Sequence, residues 1–347
     1  MSKRSFKLYF REVKVLSVLN ILFVGSDEVA RSIAKKSDSR DVDNYIYKDL
    51  KEDSSFSTIS IIRPKNYPDK PKPFFASLTV SDFGIIEIES VDAAFGEAVV
   101  SMSCAGIKEG FIIINPPKDG WVDETQVDGL LKQAGLENWE FIENDGIVIR
   151  EKLITILNKI KPHDDSGFVV AVDQAFTVKG VGLVAIGHVQ SGKLNKHSDV
   201  IFAGSEGSAV ARSLQVMDLD VDVANVGDRV GLALRANNSF RDDLLGRGSI
   251  LADSTDRFEI QKKSSFKLEK AAFQKHELVD GDVIHLCADF QFIVGRVTNI
   301  GNVIDVEWDS PIVINKFSKR NSLIIQLESN PRIMGSAKIN TTWISQI

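Results

Sequence analysis

The sequence is poor in cysteine, short of long apolar runs and without an excess of positive charge, and each absence removes a class of function. Only two cysteines occur in 347 residues, Cys104 in Met-Ser-Cys-Ala-Gly and Cys287 in His-Leu-Cys-Ala-Asp. They lie far apart in apolar contexts, with no C-x-x-C spacing, so neither a disulfide framework nor a zinc site is expected. Buried reduced thiols in a reducing, cytoplasmic setting are expected instead. No stretch approaches the roughly 18 apolar residues of a membrane helix, and the N-terminal residues lack the apolar core of a signal peptide. No membrane partner is expected. With 42 basic against 48 acidic side chains and a net charge of -6, there is no overall cationic field of the kind that drives non-specific nucleic-acid binding. DNA is therefore not an expected partner, and any RNA contact must be local. The five histidines, His163, His188, His197, His276 and His285, show no metal-ligand spacing. Asp218, Asp220 and Asp222 alternate and would share one face of an extended segment, either as cation ligands or as a solvated barrel edge; no metal is expected.

What is present is ordinary globular material, 43% hydrophobic, enough for two or three cores. Residues 1–16 form a basic leader in which Lys3, Arg4, Lys7, Arg11 and Lys14 interleave with Phe6, Leu8, Tyr9 and Phe10. It reads either as an RNA-touching arm or as a solvated lead-in to the first strand. From 17 to 161, apolar runs alternate with helix-period segments: strands over Val18 to Val24, Ile85 to Glu89, Phe111 to Ile114 and Trp139 to Ile142, and helices over Asp27 to Lys36, Ala93 to Ser103, Asp123 to Ala134 and Ile149 to Ile160. This rhythm predicts an α/β domain with a parallel sheet. The segment from Lys36 to Phe74, rich in Asp and Lys and carrying Pro64, Pro68, Pro71 and Pro73, reads as loop-like and mobile. After Pro162 and the polar residues from His163 to Gly167, helical periodicity disappears. Short strands punctuated by glycine predict one β-barrel over 168–254 and a second over 257–347. The fold class is thus α/β plus all-β, a parallel-sheet domain followed by two barrels.

The chemistry of such a first domain belongs to the loop after its first strand. The run from Asn20 to Val24 leads into Gly25-Ser-Asp-Glu-Val-Ala-Arg-Ser32, where a phosphate loop of the form G-x-x-x-x-G-K-[ST] belongs. Gly25 takes the first glycine position, Ala30 the second, Arg31 that of the lysine and Ser32 that of the magnesium-ligating hydroxyl. Alanine opposes a positive φ at the second glycine, and a guanidinium fork differs in geometry from a lysine ammonium. Asp27 and Glu28 add carboxylates beside the space for a polyphosphate, or simply complement a helix dipole. A GTPase also needs a D-x-x-G turn after the next inner strand; Ser90-Val-Asp-Ala93 after Ile86 to Glu89 lacks both ends of it. After Trp139 to Ile142, Asn144 and Asp145 read either as a remnant of the guanine-recognising N-K-x-D or as an Asn-Asp-Gly turn. With all three elements damaged, hydrolysis of GTP is not expected. No cofactor is expected, GTP and magnesium entering only if the divergent loop functions.

The stretch from Asp173 to Leu194, with Gly187-His-Val-Gln-Ser-Gly-Lys-Leu at its end, together with Arg212-Ser-Leu-Gln-Val, Gly227 to Arg235 and Leu245 to Leu251, resembles the second domain of the elongation factor Tu family. The likeness is closest to the selenocysteine-specific factors and a related pyrrolysine-associated factor. Val283 to Ala288, Gly295-Arg-Val and Ile333 to Lys338 look like the third barrel of the same group, and Cys104 to Ile114 is similar to the helix and strand after the magnesium turn. The resemblance implies a P-loop-GTPase-like first domain ahead of the two barrels and a translation factor handling aminoacyl-tRNA or ribosomal RNA, with tRNA or the ribosome as partner and the aminoacyl end held between the first domain and barrel two. Family pocket positions fall on His188 and Arg212, with Arg235 a neighbour. Lys262, Lys263, Lys267, Lys270 and Lys275 offer a local phosphate-tracking face. Two alternatives stay open, a divergent but active GTP-binding factor and a non-enzymatic regulator that binds another translation factor.

Overall fold

The computed structural model describes residues 15–52, 55–160, 167–237 and 239–339. The leader cations Lys3, Arg4, Lys7, Arg11 and Lys14, and the linker histidine His163, lie outside them. The first domain runs β1 (Val15–Val24), α1 (Asp27–Ile33), β2 (Lys35–Ser39), β3 (Val42–Leu50), β4 (Phe56–Pro64), α2 (Pro71–Leu78), β5 (Phe83–Ile88), α3 (Ala93–Cys104), β6 (Gly110–Ile114), α4 (Glu124–Gln133), β7 (Trp139–Phe141) and α5 (Gly146–Leu157). Its seven strands lie in the order β2-β3-β4-β1-β5-β6-β7. From β4 across to β7 the pairing is parallel, and continuous apolar runs such as that of β1 suit strands covered on both faces by helices. Each long helix starts on an aspartate: Asp92, Asp123 and Asp145 accept hydrogen bonds from the free amides of α3, α4 and α5.

Two expectations for this domain are corrected. The first helix ends at Ile33, not Lys36, because Ala34 is already extended (φ -145°) and Lys35 opens β2. The Lys36–Phe74 segment is no mobile loop. It holds β2, an antiparallel β3–β4 ribbon registered from Val42↔Pro64 to Leu50↔Phe56, and the first turn of α2. Its prolines sit where a missing N–H does little harm: Pro64 ends a strand and Pro71 is the first residue of α2.

Barrel two comprises β8 (Phe168–Val178), β9 (Gly182–Asn195), β10 (Asp199–Phe202), β11 (Ser208–Val216), β12 (Leu219–Val221), β13 (Val223–Asn225), β14 (Arg229–Ala236) and β15 (Ile250–Ala252). The path β10-β15-β8-β9-β14-β11 closes on itself through the β10–β11 pairing. Barrel three, β16 (Phe258–Lys270), β17 (Val283–Ala288), β18 (Gln291–Ile300), β19 (Ile304–Asn315), β20 (Ser322–Ile325) and β21 (Ile333–Ile339), is a closed barrel in the order β16-β19-β18-β17-β20-β21.

The apolar cores cross the domain borders. Phe74, Phe75 and Phe95 of the first domain share a cluster with Cys287, Leu323, Ile325 and Ile333 of barrel three. Val42, Ile62, Val80, Ala171, Ile250 and Phe290 join all three domains. The close approach of the first domain to barrel two needs glycine at Gly227, whose φ is +88° and where a Cβ would stand 2.6 Å from the Val18 side chain. Polar links reinforce the docking. Asn20 donates to the Gly227 carbonyl at 2.8 Å, the Phe290 amide donates to the Thr79 hydroxyl at 3.2 Å, and Arg332 clasps Glu97 through Nε, Nη2 and its backbone amide.

Candidate functional site

The carboxyl end of the first-domain sheet, where β1 turns into α1, is where a phosphate would be cradled in a domain of this topology. Here the turn is two residues long. Gly25 leaves the strand and Ser26 caps α1, its hydroxyl accepting from the Val29 amide at 3.2 Å. Ala30, Arg31 and Ser32 are therefore helical residues, not loop residues. Ala30 is fully buried. Arg31 turns outward to Asp27. The Ser32 hydroxyl donates to the Val29 carbonyl at 2.7 Å and packs at Gly146, facing α5.

The space beside Gly25 belongs to a residue that sequence reasoning passed over, Glu87 of β5. One of its carboxylate oxygens accepts from the Ser26 amide at 2.6 Å, the other from the Asn115 side-chain amide at 2.7 Å. A Cβ at Gly25 would lie 2.7 Å from Glu87 Cβ and 2.7 Å from its carboxylate. The signal was available: Glu87 is an acid inside an apolar parallel strand, Phe83-Gly-Ile-Ile-Glu-Ile88. On the other flank, Arg63 donates to the Gly25 carbonyl at 2.7 Å and to Asp43 at 3.1 Å. Lys36 bridges Asp27 at 3.0 Å and Asp43 at 2.9 Å, and the Tyr45 hydroxyl donates to Asp27 at 2.5 Å. Hydrogen bonds from Arg31, Tyr45 and Lys36 hold the Asp27 carboxyl far below the usual range. Burial works against ionisation of Asp43, yet bonds from Ser39 and Lys36 carry it below its ordinary value too.

The other guanine-nucleotide positions also relocate. The next parallel partner of β1 along the chain is β4, which sequence reasoning did not resolve. The turn after β4 is Lys65-Asn-Tyr-Pro68, without the aspartate or glycine of D-x-x-G. The Ser90–Ala93 stretch instead follows β5, on the far side of β1. Asn144 is exposed, and Asp145 caps α5 by accepting from Ile147 and Val148 at 2.8 and 3.2 Å. Asn115, after β6, is linked to the β1 turn through Glu87. Reading N-K-x-D from it gives Asn115-Pro-Pro-Lys118, with the lysine and aspartate replaced.

The three barrel-two positions do not converge. His188 pairs across from Arg229, whereas Arg235 lies six residues further along β14, about 20 Å away at 3.4 Å per residue. Arg212 is exposed and donates to the Val181 carbonyl at the β8–β9 tip at 2.8 Å, one strand over from Arg235. His188 is buried against Phe290 of barrel three, ring centroids 5.5 Å apart, and lines a cavity of about 330 Å³ between the three domains. Burial, with Arg229 and Arg320 nearby, lowers it to about 3, so it is a neutral imidazole. The cleft between the first domain and barrel two, about 290 Å³, is lined instead by Asp38, Arg40, Asn44, Gln215 and Arg229. Arg229 bridges Asp38 at 3.3 Å and Asp173 at 3.7 Å across it. In barrel three, Lys263 and Lys270 are paired with Glu307 and Glu277, and Lys262 donates to the Asp309 carbonyl. Asp222 pairs with Lys196 at 3.5 Å and Asp220 accepts from Gln215, which places the alternating aspartates on a solvated barrel edge.

Among the described residues no helix is long and apolar enough to cross a membrane, and no cluster of His, Cys, Asp and Glu forms a metal site.

No family model matches the chain. It is 28% identical over 275 residues, 79% of this chain and 82% of the other, to an uncharacterized protein of Methanocaldococcus jannaschii. The selenocysteine-specific elongation factor of the same organism is 27% identical over 140 residues, covering 40% of this chain and 29% of that factor. The crystal structure of translation elongation factor SelB from Methanococcus maripaludis, in complex with the GTP analogue GppNHp, superposes with a TM-score of 0.75 at 17% identity, covering 95% of this chain and 79% of that one. Among the homologues and structural neighbours of this chain are thus selenocysteine-specific elongation factors, as the barrel signature implied.

Proposed function

We propose that this chain is an elongation factor-like protein that handles aminoacyl-tRNA or ribosomal RNA in the cytoplasm with its domains held together by their own side chains, not by a guanine nucleotide. The observation that carries the reading is Glu87. A carboxylate already accepts the Ser26 amide at 2.6 Å in the place where a phosphate would accept it. GTP and magnesium do not fit the surrounding residues. The helix begins two residues after Gly25, so the loop whose amides would wrap a phosphate is missing, and the first turn of the helix carries Asp27 and Glu28. The Ser32 hydroxyl is spent on Val29 and faces α5. Asp27 and Glu87 would both repel a polyphosphate at close range.

In a nucleotide-driven factor, the γ-phosphate orders loops that dock the domains, and hydrolysis releases them. Here the corresponding ribbon, β2 to β4, is fixed by Asp43, Lys36 and Arg63 on one side and by Arg229 and Arg247, which pair with Asp38 and Asp41, on the other. A fluorescence titration with labelled tRNA, at low and at moderate salt, with and without GTP and magnesium, tests the proposal. The expected result is saturable binding whose affinity does not change with GTP. Binding that requires GTP would restore the divergent-GTPase reading, and no binding in any condition would remove the RNA role.

A further inference from the structure

We propose that a cationic notch at the edge of the first-domain sheet is a docking site for an RNA phosphodiester backbone; this rests on the RNA-handling reading above. β2 is the outer strand of the sheet and stops short, Lys35 pairing with Ile46, while β3 continues to Leu50. Among the described residues no strand lies on the outer edge of Tyr47–Leu50. The step left by the missing strand is an open depression of about 470 Å³ between β3, the end of α1 and α5. Arg31, Lys35, Lys36, Lys48 and Arg150 line it, and no carboxylate does. In a chain of net charge -6, these cations at one sheet edge, with the Lys48 ammonium turned toward barrel two, make a local field that the overall composition hides.

The charge is neutralised only in part. Arg31 and Lys36 share Asp27, and Lys36 also reaches Asp43, which Arg63 and Lys65 contact as well. Arg150 is held in place by neutral groups, donating to the Ser32 and Ile33 carbonyls at 2.7 Å each and stacking 4.8 Å over the Tyr47 ring. Lys48 likewise sits over Phe56 and donates to the Met217 carbonyl. Lys35 is exposed. Positioned cations beside an aromatic ring, on a rigid strand edge, are what tracking of a phosphate backbone needs.

The test compares the full chain with Lys35→Glu, with Lys35→Glu/Arg31→Gln, and with Lys132→Glu on α4 as a distant control. Lys35 and Arg31 are both exposed, so thermal unfolding should stay within the range of ordinary surface substitutions. Labelled tRNA is titrated over a salt series, and poly-L-glutamate is the second probe. Lys35→Glu is expected to weaken tRNA binding about five- to tenfold and to lower the slope of log K against log salt by about 1, the double variant by about 2, with Lys132→Glu unchanged. If the intact chain binds tRNA and the notch variants bind equally well, the notch is overturned and the RNA-handling reading stands. If the intact chain does not bind tRNA, both fall. Binding to poly-L-glutamate, but not tRNA, that is lost in Lys35→Glu overturns the notch in favour of an acidic protein partner.

Discussion

Arg332 and Glu97 form a buried ionic contact between the first domain and barrel three, and their replacement gives a quantitative test of nucleotide-independent docking. The Arg332 side chain reaches Glu97 Oε1 with Nη2 at 2.6 Å and with Nε at 3.1 Å, its backbone amide reaches Oε2 at 2.8 Å, and Nη1 donates to the Pro68 carbonyl at 2.9 Å. The Glu97 side chain is only 6% exposed and that of Arg332 19%. In Arg332→Met the carboxylate keeps the Tyr67 hydroxyl at 3.0 Å and the residue 332 amide, but loses its countercharge. An uncompensated buried charge of this kind costs about 3–5 kcal/mol. Glu97→Met leaves Arg332 a carbonyl and partial access to water, and costs about 1–3 kcal/mol. In the double variant no buried charge remains, but the residue 332 amide and the Pro68 carbonyl lose their partners and the Tyr67 hydroxyl keeps only the Ala94 carbonyl, so the cost is about 2 kcal/mol. The singles therefore sum to well above the double, with a coupling energy of about 2 kcal/mol or more. Equilibrium urea unfolding followed by circular dichroism measures all four proteins at a single ionic strength. Because the apolar cores cross the domain borders, a single transition of unchanged m-value is expected. Two singles that each cost less than 1 kcal/mol, or an additive cycle, would refute the buried-pair reasoning.

Two further outcomes are expected. Burial raises the Asp228 carboxyl from 3.8 to about 7, against the opposing bond from the Asn225 amide. A raised acid stabilises the fold fully below its unfolded value, and that stability is lost as pH climbs through the folded value. At about 1.4 kcal/mol per unit, Asp228→Asn, which keeps an acceptor for Asn225, should be about 4 kcal/mol more stable than the parent at pH 8 and equal to it near pH 4; a difference that is flat with pH in urea titrations would contradict this. Glu87→Ala should cost about 1–3 kcal/mol, because the Ser26 amide and Asn115 lose their shared acceptor. It should confer no affinity for GTP, since α1 still starts at Asp27; the check is thermal unfolding in parallel with calorimetry.

Much of the fold was legible because it rests on periodicity. The apolar runs of β1 and β6 and the glycine-punctuated strands of the barrels announce themselves over a few residues, whereas Asp145, the cap of α5, read as a turn or a motif remnant. The ribbon between Lys36 and Phe74 did not. Its prolines suggested a loop, and the acids of β3 look like surface residues until Lys36 and Arg63 are seen to neutralise Asp43. Missing β4 had a further consequence: each later guanine-nucleotide position was looked for one strand too far along the sheet, so Asn144 was singled out where Asn115 is linked to the β1 turn through Glu87. Glu87 and Asn115 meet Ser26 only through the strand order, and Arg332 meets Glu97 across 235 residues. Neither contact has a local signature. His188 and Arg212 were drawn together by family likeness, yet His188 is buried against Phe290 of barrel three while Arg212 is exposed and held at the β8–β9 tip of its own barrel.

The central claim, that the chain has kept the elongation-factor scaffold while filling its nucleotide position with its own carboxylate, is tested most directly by calorimetric titration of the intact protein with GTP in the presence of magnesium. No saturable heat at millimolar nucleotide is predicted. A one-to-one isotherm with a micromolar or tighter dissociation constant would contradict the account.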